Sequence, residues 1–132
     1  MQLFDEPVSL GGNNQGPTPV QSVYAALAGC ICMTLRIYAD TRKIPLKRID
    51  VRVDAEKKPL REDDSRYGEL SGMVDKGKVR FIHARIEVHG DLSSEQVDKL
   101  NETAGKCPVH KMLKNGAYIT HETVAISYTP QV

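Results

Sequence analysis

Three cysteines and four histidines are the residues of this 132-residue sequence whose side chains could carry redox or metal chemistry. Cys30 and Cys32 lie in an apolar stretch, and Cys107 opens a Cys-Pro-Val-His sequence that ends at His110. A thiolate is both a nucleophile and a metal ligand, so these residues could form a redox pair or a metal site. The structural alternative is that Cys30 is a small buried apolar residue and that Cys107 only caps a helix.

One long helix is predicted for residues 16–43, with the two closely spaced cysteines at its middle. Thr18 is a suitable N-cap, Pro19 lies at the first helical position, and Gln21 is placed to complete a capping box. Apolar residues fall on nearly every side of this helix, which predicts that it is buried. Because such a helix is longer than a small domain encloses, we expect a second subunit to cover part of it.

A zinc site is one alternative, because Cys30, Cys32, Cys107 and His110 supply four nominal ligands. Residues two apart on a helix point roughly 200° away from each other, so Cys30 and Cys32 cannot both reach one ion on a regular helix. We therefore expect no metal and no other cofactor, and only one of the two helical thiols can face a site.

The Cys-Pro-Val-His sequence predicts a short helix with Cys107 at its N-cap. Unpaired N–H groups and the helix dipole favour an anion there, and Lys106 adds a positive charge, so we expect a thiolate at Cys107. Cys30 lies in mid-helix and needs a cation or a hydrogen-bond donor from another element. His110 is one turn into the short helix, where it is either a hydrogen-bond partner of Cys107 or a structural residue.

The runs GPTPVQSVYAALAGC, TLRIYADTRKIPL and KCPVHKML resemble the OsmC/Ohr family of cysteine-based hydroperoxide reductases, over about residues 5–128. The resemblance implies an α+β, OsmC-like fold, in which an antiparallel sheet packs on a long buried cysteine-bearing helix in an intertwined homodimer. It also implies that Cys30, directly after the small residues, attacks a peroxide, and that Cys107 resolves it to a disulfide. An external dithiol would reduce that disulfide, in a response to oxidative stress, and Cys32 would be a core residue.

Two family residues are absent. The Glu that precedes the first cysteine corresponds to Gln21, and no Arg occurs before Arg36, although the family carries an N-terminal Arg that pairs with that Glu. A neutral Gln can donate a hydrogen bond but cannot hold an Arg by charge. Either a partner subunit then supplies the cation, for which the candidates are Arg61, Arg66 and Arg80, or activation of the thiol is weaker. The absences favour a rival hypothesis, a non-catalytic protein that binds a small hydrophobic ligand at the dimer interface.

The rest of the chain predicts an antiparallel sheet and two more helices. In chain order these elements are strands over residues 49–55 and 79–89, helices over residues 93–105 and 107–115, and a last strand over residues 117–128. Residues 57–78 read as a long charged loop or an arm that crosses to another subunit. Residues 1–15 are too short and too rich in Gly and Asn for more than a strand and a turn.

The charge composition argues against two classes of binding partner. A formal net charge of +1 without a basic tract gives no electrostatic footprint for nucleic acid or for an anionic membrane surface. The first residues have neither a basic region nor an apolar core, so we expect one cytoplasmic domain over residues 1–132. Three histidines alternate with apolar residues on predicted strands and receive no role; they are His83, His89 and His121.

Overall fold

The computed structural model describes residues 2–127, which contain four α-helices and one antiparallel pair of strands. The elements are α1 (Pro19–Arg42), β1 (Leu46–Pro59), α2 (Tyr67–Leu70), β2 (Lys78–Gly90), α3 (Ser94–Ala104) and α4 (Pro108–Asn115). Short 3-10 turns occur at Val8–Leu10 and Ser71–Met73. The predicted α+β class is confirmed.

Helix α1 begins and ends as its sequence predicts. Its capping box is complete, because the Gln21 N–H donates to Thr18 Oγ1 at 3.1 Å and the Thr18 N–H donates to Gln21 Oε1 at 2.9 Å. Lys43 leaves the helix in the left-handed conformation, with φ 54°, and its N–H bonds back to the carbonyl of Ala39. The residue before Pro45 cannot continue a helix easily, so the chain turns here into the sheet.

The two strands form one long hairpin. They pair from Leu46 opposite Gly90 to Pro59 opposite Lys78, with a register shift near Leu46. Both strands are longer than predicted. Residues 57–59 of β1, where the charge pattern indicated a loop, continue the pairing with the beginning of β2. The connection between the strands contains α2, so the predicted long loop is in part helical.

The core lies between α1, the hairpin, α3 and α4. Helix α1 contributes every fourth residue from one side, and α3 contributes Leu100 and Ala104 from its apolar stripe. The core residues from α1 are Leu27, Ile31, Leu35 and Ala39. Because the alternating apolar residues of both strands pack against this cluster, one face of the sheet is covered and the other carries the charges.

Helix α1 is not buried on all sides within the single chain. The sheet, α3 and α4 contact one side, while Met33 and Ile37 on another side are 68% and 65% exposed. By length and composition alone α1 is also apolar enough to cross a membrane. This is weak evidence, because the core helices of soluble proteins pass the same test.

The predicted last strand is wrong for the part that the structure describes. Residues 117–127 pair with neither strand of the hairpin, and Tyr118 and Ile126 are 96% and 83% exposed. Tyr128, where that prediction ends, lies outside the described residues. Residues 2–18 also contain no strand, only the 3-10 turn and a loop in which the Asp5 carboxylate accepts three backbone N–H groups. High β-propensity is not sufficient where no neighbouring strand is available.

Gly90 should be required at the end of the hairpin. Its φ is 149°, and an added Cβ would collide with the carbonyl oxygen of Pro45. We expect Gly90→Ala to lower the free energy of unfolding by about 2 kcal/mol or more, measured by urea denaturation. Gly72→Ala is the matched control, because an added Cβ there meets no atom within 4 Å. Equal denaturation midpoints for the two variants would contradict this account.

Candidate active site

Cys30 and Cys107 come together where the middle of α1 packs against the beginning of α4. Cys107 is fully buried in the core cluster, and Cys30 is half-buried beside that cluster. The two thiols lie within hydrogen-bonding reach of each other, and neither forms a disulfide. The structure therefore brings together the two cysteines that the sequence singles out.

Cys107 is the N-cap of α4, and its Sγ accepts the backbone N–H of His110 at 3.4 Å. Burial and the neighbouring Cys30 nevertheless raise the pKa of Cys107, because both disfavour its charged form. The sequence prediction of a thiolate at Cys107 is therefore wrong. It counted the helix N-terminus and Lys106 but not the cost of burying the sulfur in an apolar core.

The pKa of Cys30 is shifted in the opposite direction. Burial acts to raise its pKa, but hydrogen bonds from the Cys107 thiol, the Val109 backbone N–H and the Thr34 hydroxyl favour the thiolate, and the pKa of Cys30 is lowered. Val109 lies in the first turn of α4, so the free N–H groups at this helix end serve Cys30 as well as the cysteine that caps the helix. The donor that mid-helix Cys30 requires thus comes from α4.

Cys32 is on a different side of α1. It lies half-buried in a shallow surface groove with Met33 and Ile37, and burial together with the charge of Asp50 raises its pKa. It is not in the buried core cluster, so its assignment as a core residue is wrong. Because Cys30 and Cys32 diverge around the helix, the four nominal zinc ligands do not converge.

The residues that the structure describes contain one other group of three possible metal ligands. Asp50, Glu87 and His89 lie close together on the charged face of the hairpin, and His89 Nε2 is 3.0 Å from Asp50 Oδ2. Both carboxylates are already paired, with Arg48 at 3.0 Å and Arg85 at 3.1 Å respectively. No cysteine belongs to this group.

The two possible supporting residues, Gln21 and His110, have different environments. The Gln21 amide is committed to the capping box at the start of α1, and the structure does not bring it to the thiols. His110 contacts Cys107 through its backbone N–H rather than through its ring. Its imidazole lines a cavity, and its buried Nδ1 has no hydrogen-bond partner among the described residues.

This cavity, which we call the α4 cavity, has a volume of about 290 Å³, and neither Cys30 nor Cys107 is among the residues that line it. Leu27, one turn before Cys30, lines it together with Ile82 and Ala84 of β2 and Met73. Further along α4, Leu113 and Lys114 complete the wall, and Arg80 lies at the β2 side. An apolar cavity with a few polar groups is the usual form of a small-molecule site.

The three arginines proposed as cation donors differ in position. Arg61 pairs with Asp63 at 3.3 Å, and Arg66 pairs with Asp64 at 3.1 Å, both at the surface. Arg80 lines the α4 cavity of its own chain and donates to the hydroxyl of Tyr24 on α1. Among the described residues, hydrogen bonds from Cys107, Val109 and Thr34 lower the pKa of Cys30, and none of these three arginines contributes to that shift.

The sequence reasoning missed Thr34 and Val109 as partners of Cys30. Thr34 could have been found, because it lies four residues after Cys30 and so one helical turn away on the same side. Val109 acts through its backbone N–H, which no side-chain pattern reveals. The role of Tyr24 in holding Arg80 depends on residues 56 apart in the chain.

The sequence profile of the family described as OsmC-like protein matches residues 12–122. This chain belongs to the OsmC-like family. The matched residues include α1, the hairpin, α3 and α4 in full, so both cysteines of the pair lie within the family region. The resemblance inferred from the sequence is confirmed, although over a slightly shorter stretch. A search of curated protein sequences gives no match.

Solved structures of OsmC-like proteins share the fold. An organic hydroperoxide resistance protein OsmC from Legionella pneumophila is 21% identical, with a TM-score of 0.58 over 83% of this chain and 70% of its own. An OsmC-like protein from Mycoplasma pneumoniae is 18% identical, with a TM-score of 0.59 over 83% and 68%. An organic hydroperoxide resistance protein from Elizabethkingia anophelis, with thiocyanate bound, is 18% identical, with a TM-score of 0.57 over 82% and 69%.

Thr34→Val should weaken the thiolate of Cys30, because it removes one of the donors that lower its pKa. We expect the pH midpoint for alkylation of Cys30 by iodoacetamide to move to higher pH, with the modified residue identified by mass spectrometry. Thr41→Val is the matched control on the same helix, since the Thr41 hydroxyl bonds to the Ile37 carbonyl at 2.8 Å. An unchanged midpoint in Thr34→Val would exclude this hydrogen bond as a determinant of reactivity.

Proposed function

We propose that this protein is a thiol-dependent peroxidase that reduces organic hydroperoxides or hydrogen peroxide through Cys30 and Cys107. The observation that carries the proposal is geometric: Cys30 and Cys107 are neighbours where α1 packs against the N-terminal end of α4, and backbone N–H groups of that helix end face both thiols. A nucleophile must be a thiolate, and a resolving thiol can remain protonated until it is needed. Membership of a family whose solved members include organic hydroperoxide resistance proteins supports this reading.

In the first step the Cys30 thiolate attacks the distal oxygen of the peroxide. A sulfur–oxygen bond forms, the oxygen–oxygen bond breaks, and Cys30 becomes a sulfenic acid. The alkoxide that leaves takes up a proton and departs as an alcohol, or as water when the substrate is hydrogen peroxide. Cys107 carries a proton and hydrogen-bonds to Cys30, which makes it the nearest group able to supply that proton.

In the second step the Cys107 sulfur displaces hydroxide from the sulfenic acid, and the hydroxide takes up a proton to leave as water. The product is a Cys30–Cys107 disulfide. An external dithiol then reduces it by exchange and is itself oxidised. Family Glu and Arg residues are not required for this scheme, because hydrogen bonds from α4 and Thr34 favour the Cys30 thiolate.

One equivalent of an organic hydroperoxide should convert the reduced protein into a form with a single disulfide between the peptides that contain Cys30 and Cys107. Peptide mapping by mass spectrometry and titration of free thiols measure this result. Cys30→Ser should abolish the reaction, while Cys107→Ser should consume one equivalent and leave a sulfenic acid that dimedone traps on Cys30. Cys32→Ser is the matched control on α1 and should retain peroxide reactivity, because its thiol is in another groove.

Two results would change the proposed function or the proposed roles of the two cysteines. If the wild-type thiols ignore organic hydroperoxides at neutral pH, the rival function holds, namely a non-catalytic protein that binds a small hydrophobic ligand. If the protein reacts but the trapped sulfenic acid is on Cys107, the roles of the two cysteines are exchanged.

We further propose that the protein is an intertwined homodimer in the cytoplasm. Two observations support a dimer: Met33 and Ile37 on α1 are largely exposed, and the apolar residues of the 117–127 segment have no cover within the chain. Contiguous exposed apolar surface on a folded chain is typical of an interface. A second copy would bury the sides of α1 that the single chain leaves open.

Ile37→Glu should weaken this dimer about tenfold or more, because it places a charge where apolar surface would be buried. Sedimentation velocity over a range of micromolar concentrations measures the dissociation constant, and thermal stability should rise with protomer concentration. Val8→Glu is the control, since Val8 is equally exposed, at 73%, but lies in the N-terminal 3-10 turn. A folded wild-type monomer at micromolar concentration would refute the proposal.

A further inference from the structure

Cys30 and Cys107 form a pair of neighbouring sulfurs that can act together as ligands. The two thiols are close enough to hydrogen-bond, and among residues 2–127 no other Cys, His, Asp or Glu has a ligand atom within 4.8 Å of both. Cys32 is on another side of α1, and the His110 ring lines the α4 cavity. The argument against structural zinc, which takes four protein ligands, does not apply to an ion that takes only two.

The surroundings of the pair suit a soft metal ion. Cys107 is buried in the apolar core with Leu27 and Leu100, whose side chains offer no oxygen ligand. Thiolates select soft ions such as Cu(I), whereas carboxylates and carbonyls suit magnesium, calcium and manganese. With bonds of about 2.3 Å, the length found between zinc and thiolate sulfur, two sulfurs on opposite sides of one ion stand roughly 4.6 Å apart. This separation is only slightly longer than a hydrogen bond between two thiols.

Backbone N–H groups at the start of α4 stabilise the charge of such a complex. One Cu(I) ion with two thiolates carries a net negative charge, and a helix N-terminus favours an anion. The His110 N–H donates to the Cys107 sulfur at 3.4 Å, and the Val109 N–H donates to the Cys30 sulfur. Hydrogen bonds of this kind, made to the ligands of a metal, orient the ligands and raise the affinity of the site.

The pair is accessible to an ion at Cys30. Cys107 is fully buried, whereas Cys30 is half-buried at the margin of the core cluster. A metal site needs both a set of ligands and an entry path. An ion from solvent therefore meets the Cys30 sulfur first and is then held from the inside by Cys107.

We propose that Cys30 and Cys107 of the reduced protein bind one Cu(I) ion as a two-coordinate site with two thiolate ligands. On binding, two sulfur–copper bonds form, each cysteine that still carries a proton releases it to solvent, and neither copper nor sulfur changes oxidation state. This inference does not rest on the proposed peroxidase function. Because both activities use the same sulfurs, a bound ion excludes the reaction of Cys30 with peroxide.

Anaerobic titration of the reduced, metal-free protein with Cu(I), in competition with the chromophoric chelator bicinchoninate, measures affinity and stoichiometry. One ion should bind per chain. Cys30→Ser and Cys107→Ser should each weaken binding about a hundredfold or more, since changes to outer-shell groups alone cost ten- to a hundredfold. Cys32→Ser is the matched control on α1 and should keep the wild-type affinity, because Cys32 lies in another groove. X-ray absorption of the loaded wild type should show two sulfur ligands and no nitrogen.

A second measurement needs no variant, so it does not depend on whether the core tolerates a change at Cys107. One equivalent of Cu(I) should slow alkylation of Cys30 by iodoacetamide about tenfold or more, because the bound thiolate is no longer a free nucleophile. Alkylation of Cys32 should proceed at its metal-free rate, with both sites identified by mass spectrometry. Unchanged alkylation of Cys30, equal protection of Cys32, or a third ligand in the absorption spectrum would overturn the proposal. Neither experiment contains peroxide, so its result is separate from that of the hydroperoxide test.

Discussion

The contact between the middle of α1 and the beginning of α4 is the interaction on which the site depends. It buries Cys107 in the same apolar cluster as Leu27, Ile31 and Leu35, and it directs the free N–H groups of the α4 end towards Cys30. One packing event thus sets the pKa of two thiols in opposite directions. Burial dominates for the cysteine inside the core, and hydrogen bonding dominates for the cysteine at its margin.

The other elements hold this contact in place. The capping box at Thr18 fixes where α1 starts, and the Lys43 turn fixes where the chain enters the hairpin. The hairpin, α3 and α4 all pack against one side of α1. Every fourth residue on that side of α1 is therefore buried. An isolated two-stranded sheet is marginal in water, and packing against α1 supplies the apolar burial that it needs.

Local signals in the sequence predicted α1, α3, α4 and the two paired strands, but not α2 or the full length of β1. Thr18, Ser93 and Cys107 are N-caps as predicted, since a cap depends only on residues within one turn. The signals failed where the outcome depends on distant residues. The thiolate prediction for Cys107 overlooked its burial, which the core around Leu100 and Ala104 determines. The last strand was predicted from propensity alone, and the contact between Tyr24 and Arg80 has no local signature at all.

A hairpin of only two strands has two open edges, and here both are long. Each edge of β1 and β2 presents a row of backbone N–H and C=O groups that the other strand does not use. Such edges are templates for another strand, and residues 117–127 of the same chain expose Tyr118, Ile119, Val124 and Ile126. An unpaired edge can pair with another chain, so it is a site of aggregation unless something covers it. The charged outer face of the hairpin, with Arg48, Arg52 and Arg85, opposes face-to-face stacking of such sheets, and it leaves edge pairing as the hazard.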